Sequence, residues 1–414
     1  MLRHDHVFLA CIALLLMSSL CAGVSGAVLA QDWKDHPYGT GSFTSVKLST
    51  DGSTIFAGGN QLLFRTWTGD ERWGGLAGTI AAMSDDGNYI FSAPGTSVVM
   101  YGRNGIDIWT RNMDKPILAV AISGNGSFVV EADNSGLMQS WAKNGDFIGR
   151  NSTALVKSLA ISRDGSLVVA ATDRGLKFYT PALNLIWEDT NNGSLDQYIA
   201  ISDDGSTVIT AGGPRVSSHA ANGQLNWMKD FTTSSITDMA ASGGDETIVV
   251  GDQNGQVHII NSLGIERQSV GAGRWVNAVG VSDDGKVIAA GSIDQTLYVF
   301  DGSGNVLATK SADSIIQQHT VAVNSDGSRI VFADRNTLYG NTLRPETQIT
   351  PQSSAPSIQV PVTIVTTYPT PVTPSPGISA TKTIVPTTTQ AEIIPDLPLF
   401  AIAISALLGI RKIR

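Results

Sequence analysis

Cysteine is nearly missing from this chain of 414 residues. Its two copies, Cys11 and Cys21, fall in the first 21 positions, so the remainder can form neither a disulfide nor a thiolate centre. Charge is also scarce, at 15% of residues, and acidic side chains outnumber basic ones 36 to 27. A net charge of −9 with no interior run of Lys or Arg cannot neutralise a phosphate backbone, which excludes nucleic acid as a partner. Catalytic signatures are equally sparse: no G-x-S-x-G, no P-loop and no H-E-x-x-H occurs. The histidines beyond residue 30 (His36, His219, His258 and His319) lack metal-ligand spacing. His219 and His258 read as partly exposed strand residues.

The two ends differ from the rest. Arg3, an apolar stretch from Val7 to Leu20 and then small residues make residues 1–30 a candidate signal peptide. Val28 and Ala30 stand at −3 and −1 of a cleavage site before Gln31, and cleavage after Ala27 fits nearly as well. Leu20 before Cys21 argues against lipidation, which wants a small residue there. Residues 344–396 read as a solvated stalk: between 345 and 390 lie 9 Pro, 12 Thr and 5 Ser, with only Glu346 and Lys382 charged. The run "LPLFAIAISALLGI" (397–410) and the basic "RKIR" complete an anchor or sorting segment over 397–414. Its apolar part is shorter than the roughly 17 residues a span needs. This end resembles the C-terminal sorting signals of archaeal and bacterial surface proteins. The expectation is an exported chain held at the cell membrane by its C-terminal segment.

What the sequence does have is repetition. Taking the glycine of a recurring Asp-Gly turn as anchor, Gly52, Gly87, Gly126, Gly165, Gly205, Gly285 and Gly327 mark seven copies. Asp245, in "SGGDE", holds the place in an eighth, and successive anchors lie 35, 39, 39, 40, 40, 40 and 42 residues apart. Three residues before the anchor stands Ser, replaced by Asn324 in the last copy. Five before it stands a small residue, with Lys47 the exception, and three after it a β-branched one. Such alternation makes a strand with apolar side chains on one face and Ala, Gly and Ser on the other, suited to a crowded centre where sheets converge. Asp-Gly predicts a two-residue hairpin turn.

A third strand follows in each copy ("VVMY", "LKFY", "TLYVF"), then a second turn and a fourth strand, where Trp109, Trp187 and Trp227 stand 22 residues after their anchors. Four antiparallel strands per copy predict an all-β fold, a single β-propeller over residues 31–343 with eight four-stranded blades, seven being the alternative. The last copy lacks a fourth strand. "QDWKD" (31–35) is like the fourth-strand segments "LIWED" and "LNWMK" and is expected to complete it, leaving no open edge.

On these motifs residues 31–343 resemble the WD-repeat-like and quinoprotein-like β-propellers. "VSDDGKVIAAGS" is closer to WD-repeat style, while "LYVFDGSGNVL" and "HAANGQLNW" are similar to the pyrroloquinoline quinone repeat. The Gly-His and Trp-Asp pairs of WD repeats are missing, so their structural tetrad is not expected. The quinoprotein resemblance would imply a quinone, a calcium ion, a catalytic Asp and often adjacent cysteines. No cysteine follows residue 21, and no Glu and Asn set falls on a motif.

The remaining candidates concern binding. Asp85-Asp86, Asp203-Asp204 and Asp283-Asp284 read as turn residues rather than calcium ligands, because other copies carry "GNG", "SRDG" and "NSDG". Asp133, Asp173, Asp252, Asp294 and Asp334 recur between second and third strands, each expected to accept backbone N–H bonds in an Asx turn. Those loops share one face with the interblade loops, and function is expected there rather than on the acidic turns. Arg174, Arg215, Arg274, Trp275 and Arg335 are the candidate contacts for an anionic or sugar ligand. The plainer alternative is solvated arginines and a Trp covering a blade junction. Sequons at Asn125, Asn151 and Asn192 are possible glycan sites. The expected function is a non-catalytic binding or scaffold module for a protein or glycan partner, with no cofactor and no metal. A quinoprotein-type dehydrogenase and an assembly factor for exported proteins are the alternatives.

Overall fold

In the computed structural model the strand, turn and strand recur around the seven anchor glycines, and the flanking strands recur in the eighth copy. The described residues run from 27 to 345, except 38–41, 60, 78–79, 190–196, 232–233 and 245. The chain divides into units of Met1–Ser353 and Ser354–Arg414, and every described residue lies in the first. The first 26 residues, the stalk from residue 346 onward and the C-terminal apolar run lie outside the described residues. Arg344 and Pro345, read as the start of the stalk, belong instead to the last strand of the propeller.

Thirty-two strands form eight four-stranded antiparallel sheets, the blades of a β-propeller. Blades 1 to 7 span residues 45–77, 81–112, 117–152, 156–189, 198–230, 236–271 and 276–311. Blade 8 joins Val321–Val323, Arg329–Ala333 and Leu338–Pro345 to Ala27–Asp35. The N-terminal strand thus closes the ring, in a register running from Ala27 opposite Pro345 to Asp35 opposite Leu338. It begins before Gln31, and Leu29 sits in the core formed with Val321, Ile330, Phe332 and Tyr339. Each blade buries its two middle strands between neighbours, as in Val287–Ser292, where all six residues are buried.

The first turns at the seven anchor glycines differ from the two-residue turn that Asp-Gly suggests. In blade 7, Gly285 N donates to Ser282 O (2.9 Å) with Gly285 at φ +69°, a type I turn followed by a left-handed glycine. The turn aspartate explains the longer loop, because its side chain replaces missing backbone bonds. Asp284 Oδ1 accepts from Lys286 N (3.0 Å) and from Ser282 Oγ (2.7 Å), while Ser282 Oγ accepts from Val287 N (3.1 Å). Ser49 with Asp51, Ser84 with Asp86, Ser162 with Asp164 and Ser202 with Asp204 repeat the arrangement. Burial works to raise Asp284, but the bonds from Lys286 and Ser282 outweigh it and hold its carboxyl at about 2.

First turns and third-to-fourth turns lie on one side of the ring, the turn face. Second-to-third loops and interblade segments lie on the other, the loop face, where Ile293 N donates to Trp275 O (2.9 Å) and Gln253 N to Ser235 O (3.1 Å). On the outer rim, fourth-strand tryptophans reach into the next blade. Nε1 of Trp33, Trp109 and Trp227 donates to the carbonyls of Trp67 (2.6 Å), Lys143 (2.8 Å) and Ser262 (2.7 Å). Trp187 lies flat against Gly223, where an added Cβ would come within 2.0 Å of the indole. Trp109, 7% exposed, also packs on Phe91 and Trp141. Trp109→Ala is expected to cost about 3–5 kcal/mol, measured by denaturant unfolding, and a loss under about 1 kcal/mol would show that the rim does not join these blades.

Candidate functional site

The eight innermost strands enclose a channel with a cavity of about 700 Å³. Aliphatic residues alternate with polar ones along its walls, the polar ones contributing most of the open surface, and charged side chains gather toward each mouth.

At the turn face, the residue two before each anchor points at the axis. The backbone there forms a belt from blade to blade. Thr50 N donates to Asp85 O (2.8 Å), Asp85 N to Gly124 O (2.9 Å), Gly124 N to Arg163 O (3.1 Å) and Asp203 N to Gly243 O (3.1 Å). Asp283 N to Ser325 O (3.0 Å) and Ser325 N to Thr50 O (3.0 Å) continue it. Into this ring blade 4 sends Arg163. Its guanidinium meets Asp203 at 2.7 Å, Asp85 at 3.3 Å and Asp283 at 3.6 Å, and donates to Thr50 Oγ1 at 2.8 Å. Four other blades thereby share one cation. Burial raises the Asp85 carboxyl against the pull of Arg163 and Lys47, with Asp203 and Asp283 adding to the rise. The acidic pairs of the sequence are thus split in role: the second Asp shapes the turn, and the first converges on Arg163. No pairwise motif reveals this, although Arg163 is the only arginine at a position held elsewhere by Asp, Gly, Ser or Thr.

At the loop-face mouth, His319 from blade 8 reaches Asp238 of blade 6, Nδ1 to Oδ1 at 2.9 Å. Asp238 is buried and also accepts Val279 N from blade 7 (2.9 Å). His319 O accepts Val46 N from blade 1 (3.1 Å), and the Tyr198 ring of blade 5 lies 5.5 Å from the imidazole. The histidine adopts φ +58°, a left-handed conformation that the contacts from three other blades sustain. Burial opposes its protonation, but the Asp238 bond and charge prevail and raise it above the ordinary histidine range. The contact therefore stabilises the fold at pH below the unfolded histidine value and loses that contribution as pH rises through the raised one. Lys47, Lys157 and Gln197 also line the channel.

The five residues singled out on the loop face are exposed or half-exposed, and they stay on separate blades or segments. Arg174 borders a smaller cavity with Ser135, Leu155, Asp173 and Lys177. Arg215 pairs with Asp230 of its own blade (2.8 Å). Arg274 and Trp275 occupy the segment between blades 6 and 7, where Arg274 N donates to Ser292 Oγ (3.2 Å) and Trp275 is 49% exposed. Arg335 N donates to Ser314 Oγ (3.3 Å). Only Arg274 and Trp275 are adjacent.

Other expectations change in detail. Asp133, Asp252, Asp294 and Asp334 accept the N–H two residues on, at 2.7, 2.9, 3.0 and 2.9 Å. In blade 4 it is Thr172, not Asp173, that accepts from Arg174 N (3.2 Å), because that loop is one residue tighter. His219 and His258 are buried rather than partly exposed. His219 packs against Phe178 and Trp187 between blades, and His258 bonds Glu266 at 2.8 Å under Phe231. Asn125 is exposed with its carbonyl used by Ser127 N (2.9 Å). The Asn151 amide already donates to Leu183 O of the next blade (2.9 Å), a bond a glycan would break. Asn192 lies outside the described residues. The channel carboxylates do not fit a quinone and calcium site, since Asp85, Asp203 and Asp283 serve Arg163 and Asp238 serves His319.

Replacing Arg163 leaves three carboxylates facing one another. Arg163→Met is expected to destabilise by about 1–3 kcal/mol at neutral pH. Carboxyls raised in the fold stabilise it on the acid side and lose that effect as pH rises, so the deficit should shrink between pH about 7 and about 4. Thermal unfolding across that range checks it; a deficit independent of pH would refute the shared-cation reading.

Residues 267–301 match the family described as WD domain, G-beta repeat. The matched stretch covers the fourth strand of blade 6 and the first three of blade 7. A comparison with curated proteins finds no match. Among solved structures, the crystal structure of the computationally designed Ika8 protein is similar with a TM-score of 0.62 at 18% identity, over 73% of this chain and 96% of that one. At that identity the likeness concerns the fold alone. The chain is an eight-bladed β-propeller, one stretch of which, residues 267–301, is similar to the WD repeat.

Proposed function

We propose that the protein is a non-catalytic binding module, exported and held at the cell surface by its C-terminal segment, that engages a protein partner on the loop face. The observation that carries this is the contrast between the two mouths. The turn-face mouth is crossed by Arg163 and its four partners, whereas the loop face offers exposed Trp275 and Arg274 beside an accessible channel. Aromatic and arginine side chains are the residues that dominate binding energies at protein interfaces. A glycan is the second reading, favoured by the exposed Trp275 indole, which could stack on a sugar.

Export itself is part of the proposal. Processing after Ala30 would remove four residues of the closing strand, Leu29 among them, whereas processing after Ala27 leaves that core residue in place. The mature N-terminus is accordingly expected at Val28, measured by mass spectrometry of the purified protein. A terminus at Gln31 would contradict it, and an intact Met1 would contradict export by this signal.

The lack of cysteine beyond residue 21 makes single-cysteine labelling clean. Trp275→Cys on the loop face and Ser303→Cys on the turn face should both react with a membrane-impermeant maleimide on intact cells. With a photo-crosslinker attached, Trp275→Cys should join the partner and Ser303→Cys should not. Labelling only after lysis would refute the surface location, and crosslinking from Ser303 alone would refute the choice of face.

A further inference from the structure

Seven of the eight innermost strands keep a small residue five before the anchor, among them Ala82, Ala160 and Ala322. Blade 1 has Lys47 there. The crowding that selects Ala and Gly does not call for a lysine. Lys47 is exposed and lines the channel, and its neighbour Val46 is bonded to His319 O, which sets the two cations on adjoining walls. Lys157 lines the channel as a second lysine, and the remaining channel charges fall into two matched groups among the described residues. Arg163 answers Asp85, Asp203 and Asp283, and Asp238 is taken by His319 and Val279 N. Lys47 makes no ion pair with either group among the described residues, although its charge acts on Asp85 and on His319. The loop-face half of the channel therefore presents more positive than negative charge, in a protein whose net charge is −9.

We propose that the channel is a socket for one carboxylate of a partner's acidic side chain, which enters from the loop face and is held by Lys47 with His319 beside it. The proposal rests on the loop face being the binding surface. A cavity of about 700 Å³ lies within the range of ligand sites. The three carboxylates at the far mouth set the charge of the occupant. A single negative charge gains from Lys47, while a dianion pushed deeper meets Asp85, Asp203 and Asp283. The competing role for Lys47 is to balance Asp85, whose charge it also feels.

Calorimetric titration of the purified protein at about pH 6, where histidine carries charge, separates these roles. Tetraglutamate is expected to bind, and Lys47→Met to weaken it about 10- to 100-fold, the effect of losing one charge-assisted bond. Lys115→Met, which removes an exposed loop-face lysine outside the channel, should change affinity less than about twofold. Wild-type affinity in Lys47→Met overturns the socket, and a lowered melting temperature with that affinity assigns Lys47 to Asp85 instead. Tighter binding of a phosphoserine tetrapeptide overturns the monoanion assignment. Glutarate binding as tightly as tetraglutamate overturns the partner side chain as the source. No binding of tetraglutamate overturns the socket, while crosslinking from Trp275→Cys still decides the loop-face reading separately.

Discussion

The belt of backbone hydrogen bonds at the turn-face mouth is the constraint from which most of the architecture follows. It links six of the residues before the turn to their counterparts in the next blade, with Asp164 N taking the place of Arg163 N toward Asp203 O. Neighbouring innermost strands thus meet at a fixed spacing around the axis. Each bond contributes about 0.5–1.5 kcal/mol net, but their greater effect is geometric. A residue held by both neighbours has only one direction left for its side chain, toward the centre. Asp85 and Asp203 are held on both sides and Asp283 on one, by Ser325 O, so the three carboxylates converge, and like charges forced together need a cation. Arg163 supplies it. Gly124 belongs to the same solution: a Cβ there would lie 2.4 Å from Arg163 Cγ and 2.6 Å from an Asp85 oxygen.

The outer rim solves a different problem with different chemistry. Where blades splay apart, a backbone bond no longer spans the gap, and a long indole does. Each of these tryptophans lies over a glycine of the neighbouring turn, Gly69, Gly145, Gly223 or Gly264, which allows the ring to come close. Small residues at the axis and large ones at the rim follow the wedge shape of a blade. The wedge also explains why Lys47 stands out, since it is a long side chain where the geometry leaves least room.

The architecture was open to reading from the sequence because its signals are local and repeated eight times. Ser, Asp and Gly at fixed offsets mark each turn, and the mismatch between the ends of the repeat exposes the closing strand at Trp33. Small errors arose where a side chain does the work of the backbone, as in the first turn, or where a loop is one residue shorter, as at Thr172. The charged centre was not open to the same reading. Arg163 and Asp203 are 40 residues apart, Arg163 and Thr50 113, and His319 and Asp238 81. Such contacts depend on how the ring closes, which no single repeat encodes. What the repeats do offer is their exceptions, an arginine among aspartates and a lysine among alanines, and both exceptions lie in the channel.

Closure by the N-terminal strand also has a consequence in time. Residues 27–35 are made first, yet their partners at 338–345 are the last of the propeller to leave the ribosome. Until then blade 8 lacks an edge, Leu29 has no core, and neither mouth can complete its cross-ring contacts. Seven sheets can form along the way while the ring remains an open arc with strand edges at both ends, the kind of intermediate that aggregates. Pairing at such sequence separation is intrinsically slow. The waiting strand is short and polar after Ala30, "QDWKD", with three charges in five residues, so the segment that must stay unpaired longest is also one that tolerates water.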